Sequence, residues 1–186
     1  MDDLPEAGTP PGFTIRAVAG DEIAARVEVH RRAWDPKRIK RMLGLAVTGD
    51  ESGSGYDLTR HRAVMASPVY RPELDLVAVG ADGELVAYAI GWFDPVSRSV
   101  LFEPVGTVPE HGGLGLGRAL GAEVLRVAAG LGAVQAVVNA RGDDAYPVPH
   151  RLYTGLGMRP LTRIVTVTNA PEQGTGTATA GHRRRR

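Results

Sequence analysis

Apolar residues change their spacing several times along this chain, which is typical of a fold that mixes strands with helices. Short apolar or alternating runs predict six strands, at 13–18, 74–79, 84–93, 99–107, 133–138 and 161–168. The second, third and fourth follow one another through short turns, one of them Ala81-Asp82-Gly83, so we expect an antiparallel meander. The apolar run over 133–138 predicts a buried strand.

Helical spacing of the apolar residues predicts helices before and after this meander. The first has Asp21 as its N-cap and is ended by Pro36, and His30 falls on its apolar stripe, where a histidine is more often a satisfied core residue than a ligand. The others are predicted over 37–45, over 58–66, along a helix that carries Leu120, Val124 and Ala128 and is closed by Gly130 and Gly132, and over 148–156. Together the elements predict one α/β (α+β) domain over 13–168, with a mixed, largely antiparallel sheet flanked by helices.

Both ends of the chain differ from this domain in composition. The segment 1–12 is rich in proline and glycine and the segment 169–186 has few apolar residues, so we expect two disordered tails. The 186 residues carry 22 basic and 21 acidic side chains, for a net charge of +1, so the overall charge does not recruit the protein to nucleic acid or an acidic membrane. Four terminal arginines, 183–186, leave contact with RNA or phospholipid open, although a solvated tail is the plainer interpretation.

The chain contains no cysteine, which excludes disulfides, thiolate metal sites and a cysteine nucleophile. Its first residues lack the basic and apolar stretches of a signal peptide. The longest apolar run, 85–93, is well short of the roughly 20 residues that span a bilayer. We therefore expect a soluble cytoplasmic protein with no membrane partner.

The segment PEHGGLGLGRAL at 109–120 places several glycines between a predicted strand and a predicted helix. Glycines let the backbone approach a ligand closely, and free N–H groups at a helix start favour an anion such as phosphate. A tight turn alone would also explain them. Arg118 and Ala119 stand where a P-loop needs Lys and Ser or Thr, and Leu120 stands where the dinucleotide motif needs its third glycine, so neither motif is present.

The run VGTVPEHGGLGLGRAL at 105–120 looks like the acyl-CoA-binding motif of the GCN5-related N-acetyltransferases, [RQ]-x-x-G-x-[GA] between the fourth strand and the third helix. The run RGDDAYPVPHRLYTGLGMRP at 141–160 resembles the closing segment of the same family. The chain departs from the family pattern at Gly112, where Arg or Gln is usual, and near Tyr146, where Asn is frequent. The resemblance covers about residues 13–168 and is weakest over 36–72.

This resemblance implies that acyl-CoA binds where the fourth and fifth strands splay apart. It implies acetyl-CoA as the acyl donor, an amine as the acceptor and no metal, and dimerisation is common in that family. Residues 105–108 would pair with the pantetheine arm through free N–H and C=O groups, and Arg118 would reach a pyrophosphate oxygen. The implied cofactor-binding residues are Val105, Gly106, Thr107, Val108, Gly112, Gly113, Leu114, Gly115, Leu116, Gly117, Arg118 and Tyr146.

Two residues are candidates for proton transfer. Glu103 lies in the apolar run VLFEPV, and we expect partial desolvation to make its carboxylate a base for the acceptor amine, although pairing with a cation at the sheet surface is the alternative. Strand alternation places Glu103 on one face with Val105 and Thr107 unless a bulge intervenes, and Pro104 marks a bulge or an unpaired edge. Tyr153 matches the family tyrosine, which would donate a proton to the departing CoA thiolate, although a packing role is the alternative.

The leading hypothesis is an N-acetyltransferase that transfers acetyl from acetyl-CoA to a primary amine of a small molecule or protein by direct attack in a ternary complex. A non-catalytic acyl-CoA-binding regulatory module of the same fold is the alternative. A third hypothesis is nucleic-acid association through the arginine tail. The acceptor cannot be identified from the sequence; Lys37, Arg38, Lys40 and Arg41 suggest an acidic or phosphorylated one, although a solvated helix face is the plainer interpretation.

Overall fold

The computed structural model describes residues 4–47, 54–140 and 146–162, and its strands form one sheet in the order β1-β2-β3-β4-β5. The strands are β1 (Thr14–Ala17), β2 (Asp75–Val79), β3 (Leu85–Asp94), β4 (Ser99–Thr107) and β5 (Gln135–Val137). The first three pairings are antiparallel and β4 pairs with β5 in parallel. The predicted meander and the mixed, largely antiparallel sheet are therefore confirmed. Most of the strand predicted over 161–168, and all of the tail after it, lie outside the described residues.

Five α-helices accompany the sheet in the described part of the chain. They are α1 (Ile23–Ala33), α2 (Pro36–Met42), α3 (Leu58–Met65), α4 (Leu116–Gly130) and α5 (Val148–Gly155). At the end of α4, Gly132 has φ +97° and the N–H of Ala133 donates to the carbonyl of Ala128 at 2.9 Å. This is the glycine-closed end that the sequence predicts.

The prediction that Asp21 caps α1 is wrong. The carboxylate of Glu22 accepts a hydrogen bond from the N–H of Ala19 at 3.0 Å and pairs with Arg16 at 2.6 Å. These contacts hold a short 3-10 turn over Gly20–Glu22, so α1 begins only at Ile23.

Helices α1 and α4 cover opposite faces of the sheet. Tyr88 and Gly91 point to opposite faces of β3 because they are an odd number of residues apart in a strand. A Cβ on Gly91 would lie 2.8 Å from Val124 of α4, whereas the Tyr88 ring stacks beneath Arg26 of α1. Most of the buried apolar core lies between the sheet and α4, which contributes Leu116, Leu120, Val124, Leu125 and Ala128.

Strand β4 contains a bulge at Glu103-Pro104, where the peptide bond is cis. Phe102 pairs with Gly91 and Val105 pairs with Ala89, so two residues of β4 stand opposite one residue of β3. Phe102, Val105 and Thr107 consequently share the α4 face, whereas Gly106 shares the α1 face with Tyr88. The prediction of a bulge at Pro104 is confirmed. A common face for Glu103, Val105 and Thr107 is predicted only without a bulge, and the bulge separates Glu103 from the alternation that Val105 and Thr107 share.

Strand β5 is short and pairs with β4 only between Ser99 and Leu101. The prediction of a strand within 133–138 is confirmed, but its predicted burial is wrong at Gln135 and Val137, which are exposed. In the described sheet β5 is the last strand, and no described strand pairs with its outer edge. The parallel pairing ends at Leu101, before the bulge, so the two strands part where β4 continues toward the glycines.

The N-terminal residues before β1 form no helix or strand in the part that is described, 4–13. Leu4 and Ala7 nevertheless pack against the core, and the Phe13 ring meets the edge of His111 at a centroid distance of 5.7 Å. Pro10 lies 3.9 Å from the position that a Cβ on Gly115 would occupy. This segment therefore lies beside the glycine-rich loop. Among the described residues no helix is long and apolar enough to cross a bilayer.

Candidate functional site

The glycine-rich loop presents a row of backbone N–H groups at the start of α4. Gly113 and Gly115 have φ of +81° and +85°, a conformation that side chains disfavour, and Gly115 is the N-cap of the helix. The first bond of this turn runs from the N–H of Ala119 to the carbonyl of Gly115 at 3.0 Å. The N–H groups from Gly113 to Arg118 therefore have no acceptor among the described residues, and the helix dipole adds to their attraction for an anion.

Two side chains complete the surface around this loop. Leu114 is half-exposed at 49%, and Arg118 is exposed and forms no ion pair with any described residue. Leu116 and Gly117 face inward, because Leu116 is buried in the core and Gly117 lies against Leu152 of α5. The loop thus offers main-chain groups and one free guanidinium to an anionic ligand.

Gly112 differs from the other glycines of the loop. Its N–H donates to the carbonyl of Pro109 at 3.1 Å, and its φ is −65°. The amide of Gly112 is therefore not free to bind a cofactor, because Gly112 ends the 3-10 turn over Pro109–His111. The free row of amides begins one residue later.

The outer edge of β4 after the bulge is the second part of the site. In an antiparallel ladder, residues bonded to the partner strand alternate with residues whose N–H and C=O point away from it. The N–H of Val108 donates to Val86 at 2.9 Å, so Val108 and Gly106 face β3 and Val105 and Thr107 face the opposite direction. The expectation of free groups throughout 105–108 is thus corrected: among the described strands only Val105 and Thr107 present an unpaired edge.

Tyr153 of α5 packs against the sheet at β4. Its ring meets Phe102 of β4 edge-on at a centroid distance of 6.3 Å. Burial and, to a smaller degree, the carboxylate of Glu103 raise the pKa of the Tyr153 phenol to about 12, so the hydroxyl keeps its proton near neutral pH. The N–H of Met158 donates to the carbonyl of Tyr153 at 3.0 Å and Gly157 has φ +82°, which fixes the end of α5.

Glu103 is exposed, so the expected partial desolvation of its carboxylate is wrong. The bulge turns this residue out of the apolar run, and its backbone carbonyl accepts a hydrogen bond from the indole N–H of Trp92. The structure nevertheless brings Glu103 close enough to Tyr153 to affect the pKa of the phenol. Tyr146 is half-buried and lies two residues before the start of α5.

A buried polar cluster lies on the other face of the sheet, under α1 and α3. Arg26 and Asp75 are both fully buried and paired, with 2.9 Å between Nε and Oδ1. The hydroxyl of Tyr70 donates to Asp75 Oδ2 at 3.2 Å, and Nε2 of the buried His61 lies 3.5 Å from the same oxygen. We call these four residues the ionic cluster. Both Nη atoms of Arg26 and Nε2 of His61 are buried without a hydrogen-bond partner among the described residues.

Three aromatic rings and the Arg26 guanidinium form a stacked column beside this cluster. Tyr56 stacks on His30 at a centroid distance of 3.9 Å, His30 stacks on Tyr88 at 5.3 Å, and Arg26 lies 3.7 Å from the centre of the Tyr88 ring. The column touches β4, because a Cβ on Gly106 would lie 2.8 Å from Tyr88 and 3.2 Å from Trp34. The column therefore packs against one face of β4, the strand whose outer edge is unpaired at Val105 and Thr107.

A hydrogen bond joins His30 to Tyr88 within the stacked column, with 2.8 Å between Nδ1 and the phenol oxygen. Burial raises the pKa of the Tyr88 phenol far above its ordinary value, against the smaller lowering effects of Arg26 and of a hydrogen bond from Trp34, so the phenol is neutral. Burial, helped by Arg26, lowers the pKa of His30 to about 4, so the imidazole is neutral near pH 7.

The sequence patterns did not predict this column or the ionic cluster. The interpretation of His30 as a satisfied residue on the apolar face of α1 agrees with its bond to Tyr88, although the ring is only half-buried. The one available signal for the cluster was Asp75, a carboxylate at the start of an otherwise apolar strand.

Comparison with known proteins supports the same fold. The model of the Acetyltransferase (GNAT) family matches residues 37–158. A search of curated protein sequences finds no significant match. Among solved structures, the ribosomal-protein-S18-alanine N-acetyltransferase from Escherichia coli superposes with a TM-score of 0.59 at 18% identity, covering 81% of this chain and 79% of that one.

Two further solved structures resemble the chain to a similar extent. The structure of yncA from Salmonella typhimurium with its cofactor acetyl-CoA has a TM-score of 0.60 at 24% identity, covering 86% of this chain and 88% of the other. The aminoglycoside 6'-N-acetyltransferase AAC(6')-Ih from Acinetobacter baumannii has a TM-score of 0.58 at 15% identity, covering 87% and 100%. At these identities the similarity shows a common fold.

Proposed function

Because the chain belongs to the GNAT family of acetyltransferases, we propose that it transfers an acetyl group from acetyl-CoA to a primary amine. The observation that supports this proposal most directly is the row of free N–H groups from Gly113 to Arg118 beside the unpaired edge of β4 at Val105 and Thr107. The first would bind the pyrophosphate and the second the amide groups of the pantetheine arm. Arg118 adds a charged contact to phosphate.

Bound acetyl-CoA would supply the thioester that the amine attacks. The amine nitrogen forms a bond to the carbonyl carbon, the carbon–sulfur bond breaks, and CoA leaves as a thiolate. An alkyl ammonium has a pKa of about 10.4, so it must lose a proton before attack. We assign this proton to Glu103, whose exposed carboxylate can pass it on to water.

Tyr153 would act on the departing sulfur. A pKa of about 12 lies some 3.5 units above that of a simple thiol, near 8.5, so complete proton transfer would be uphill by about 5 kcal/mol. A hydrogen bond from the phenol to the developing thiolate requires no such transfer. Tyr153 therefore stabilises the leaving group as a donor, and solvent protonates CoA after its release.

The cofactor site can be tested by placing a negative charge in the loop. Gly113 has open space around its Cβ position, and Asn and Asp tolerate a positive φ better than other side chains. We expect Gly113→Asp to weaken acetyl-CoA binding, measured by calorimetry, at least tenfold more than Gly113→Asn does. Gly83→Asp, at φ +84° and also in open space, adds the same charge elsewhere and should leave binding unchanged. Absence of saturable acetyl-CoA binding by the unaltered protein would refute the proposal.

The role of Tyr153 requires a separate experiment. Tyr153→Phe should lower kcat about tenfold to a hundredfold while the Kd of acetyl-CoA changes little, because the hydroxyl acts only on the leaving group. Tyr70→Phe, which removes a phenol hydroxyl in the ionic cluster, is the control and should retain kcat. An unchanged rate in Tyr153→Phe would remove this residue from the mechanism.

A non-catalytic acyl-CoA-binding module is the second candidate, and the exposure of Glu103 favours it, since the burial that was expected to make this carboxylate a base is absent. It predicts acetyl-CoA binding without thiol release over a broad panel of amines. Any saturable acetyl transfer would eliminate it.

A further inference from the structure

Helix α2 carries four basic side chains, Lys37, Arg38, Lys40 and Arg41, and no acidic one. Lys37, Arg38 and Arg41 form no ion pair with any described residue, whereas Arg16, Arg32 and Arg126 are all paired with glutamates. Lys37 and Arg38 are also half-buried, so they are not the fully solvated face that such a pattern usually indicates.

Like charges three or four residues apart destabilise an isolated helix, and in α2 the pairs Lys37 with Arg41 and Arg38 with Arg41 have this spacing. Asp35, the N-cap of this helix, accepts through its carboxylate from the N–H of Lys37 at 3.0 Å and forms no ion pair with Lys37, Arg38 or Arg41. An anion bound between these three side chains would relieve their repulsion. Their charge pattern therefore favours an anionic ligand.

The chain connects α2 to a residue that contacts the strand that would hold the thioester. The indole nitrogen of Trp34 lies 3.2 Å from the Cβ position of Gly106, between the two residues with free edges, and α2 begins two residues after Trp34. Successive Cα atoms are 3.8 Å apart, so the Cα of Lys37 lies within about 11 Å of the Cα of Trp34. The basic side chains thus follow directly after a residue that contacts the middle of β4 from the face opposite α4.

A neutral polar ring accompanies these cations. His30 forms a hydrogen bond through Nδ1 to Tyr88, and its Nε2 has no hydrogen-bond partner among the described residues. Trp34, one turn further along α1, is 36% exposed. We call His30, Trp34, Lys37, Arg38 and Arg41 the acceptor face.

We propose that the acceptor is a primary amine that carries a carboxylate or phosphate, and that its anionic group binds at the acceptor face while its amine reaches β4. This inference rests on the proposed acetyl transfer. The acceptor face contains no carboxylate, so it disfavours polycations. An aminoglycoside, which carries several protonated amines, would require acidic side chains instead.

Thiol release from acetyl-CoA is measured with matched amines: 4-aminobutyrate against butylamine for the carboxylate, and O-phosphoethanolamine against ethanolamine for the phosphate. Spermidine and kanamycin represent polycations. We expect at least one acidic amine to exceed its neutral partner about tenfold in kcat/KM, and both polycations to be poorer substrates than that amine. The ratio within each pair shows which anion is preferred.

The double variant Lys37→Gln with Arg38→Gln should reduce this ratio about tenfold without changing the Kd of acetyl-CoA. Arg31→Gln with Arg126→Gln removes two positive charges from exposed sites elsewhere, and it should keep the ratio. A ratio that is equal in both double variants would overturn the inference, as would a preference for the neutral amines or for the polycations.

If no amine of the panel is acetylated, calorimetric titration of the acidic amines into CoA-loaded protein replaces the kinetic ratio. Saturable binding that is lost in the Lys37→Gln and Arg38→Gln variant supports the acceptor face, and absence of binding by both acidic amines overturns it. Failure of acetyl-CoA to bind would instead refute the proposed function itself, so the two failures are distinguishable.

Discussion

The two faces of the sheet are covered by helices of opposite character. On the α4 face, apolar side chains such as Leu120 and Val124 fill the core, and the free polar groups at its rim are backbone amides. On the α1 face, Arg26, Asp75 and His61 are completely buried; Arg26 is hydrogen-bonded to Asp75, and His61 is hydrogen-bonded to Tyr56. The first face tolerates many side chains provided that they are apolar, whereas the second depends on particular residues in particular contacts.

Breaking the ionic cluster should have the largest effect. Asp75→Ala leaves the Arg26 guanidinium buried without its counterion, for which we expect a loss of about 3–5 kcal/mol in the free energy of unfolding by urea denaturation. Glu123→Ala, which breaks the exposed pair with Arg126, should cost no more than about 1 kcal/mol.

A variant of Asp75 that fails to fold would be consistent with this expectation but would yield no free energy. For that reason Arg26→Met combined with Asp75→Leu is measured as well, and it should recover much of the loss because no unpaired charge remains. If Asp75→Ala lost less than about 1 kcal/mol, the α1 face would not depend on the cluster.

Two glycines allow the faces to be compared directly. A Cβ on Gly106 would lie 2.8 Å from Cβ of Ala33, so α1 itself must move, and we expect Gly106→Ala to cost about 2–3 kcal/mol. A Cβ on Gly91 would meet the methyl groups of Val124 and Val100 at 2.8 and 3.1 Å, which can shift more easily, so about 1–2 kcal/mol is expected.

Urea denaturation of both glycine variants, with Gly20→Ala as the control in open space, checks this order. A larger loss for Gly91→Ala than for Gly106→Ala would show that the apolar face is the less adaptable one.

The smallest expected effect is a pH dependence that belongs to the α1 face. The pKa of His30 falls to about 4 on folding, so between pH 6.5 and 4 the unfolded chain binds a proton that the native state does not. Stability should therefore be complete above about pH 6.5 and decrease as the pH falls through this window. Burial also lowers the pKa of His61, which acts in the same direction. After allowance for solvent screening, His30 accounts for on the order of 1–2 kcal/mol.

Proton NMR of the histidine rings gives the direct measurement. We expect the His30 resonance not to titrate above pH 5, and the pH-dependent loss to shrink in His30→Gln. A midpoint near 6.5 for His30 would contradict the burial of its ring within the stacked column.

Local patterns were sufficient for most of the fold, because strand alternation, turn residues and helix closures are short-range signals. The glycine loop was found from the sequence for the same reason, since its four glycines lie within six residues, 112–117. Asp21 was misassigned because Arg16, six residues from Glu22, stabilises a different start to the helix. The exposure of β5 follows from its place at the end of the described sheet, and the exposure of Glu103 follows from the bulge. Neither can be predicted from apolar residues alone.

The stacked column could not be predicted for a different reason. Its rings come from α1, from β3 and from the segment before α3. Tyr56 and Tyr88 are 32 positions apart, and no sequence pattern between them indicates that they are close in space. Contacts of this kind follow only from the complete topology. Where a polar side chain interrupts a buried strand, as Asp75 does, the sequence indicates that a partner exists without identifying it.

The bulge of β4 decides which face each later residue of this strand occupies, because it adds one residue that has no partner of its own in β3. If the same residues paired with β3 without the bulge, Pro104 would stand opposite Ala89 and every later residue of the strand would exchange its face. Val105 would then stand where Gly106 now lies against Ala33 and Tyr88, and its backbone groups would be directed to β3 instead of to the outer edge. The one residue that the bulge absorbs thus decides which residues of β4 direct their backbone groups to its outer edge.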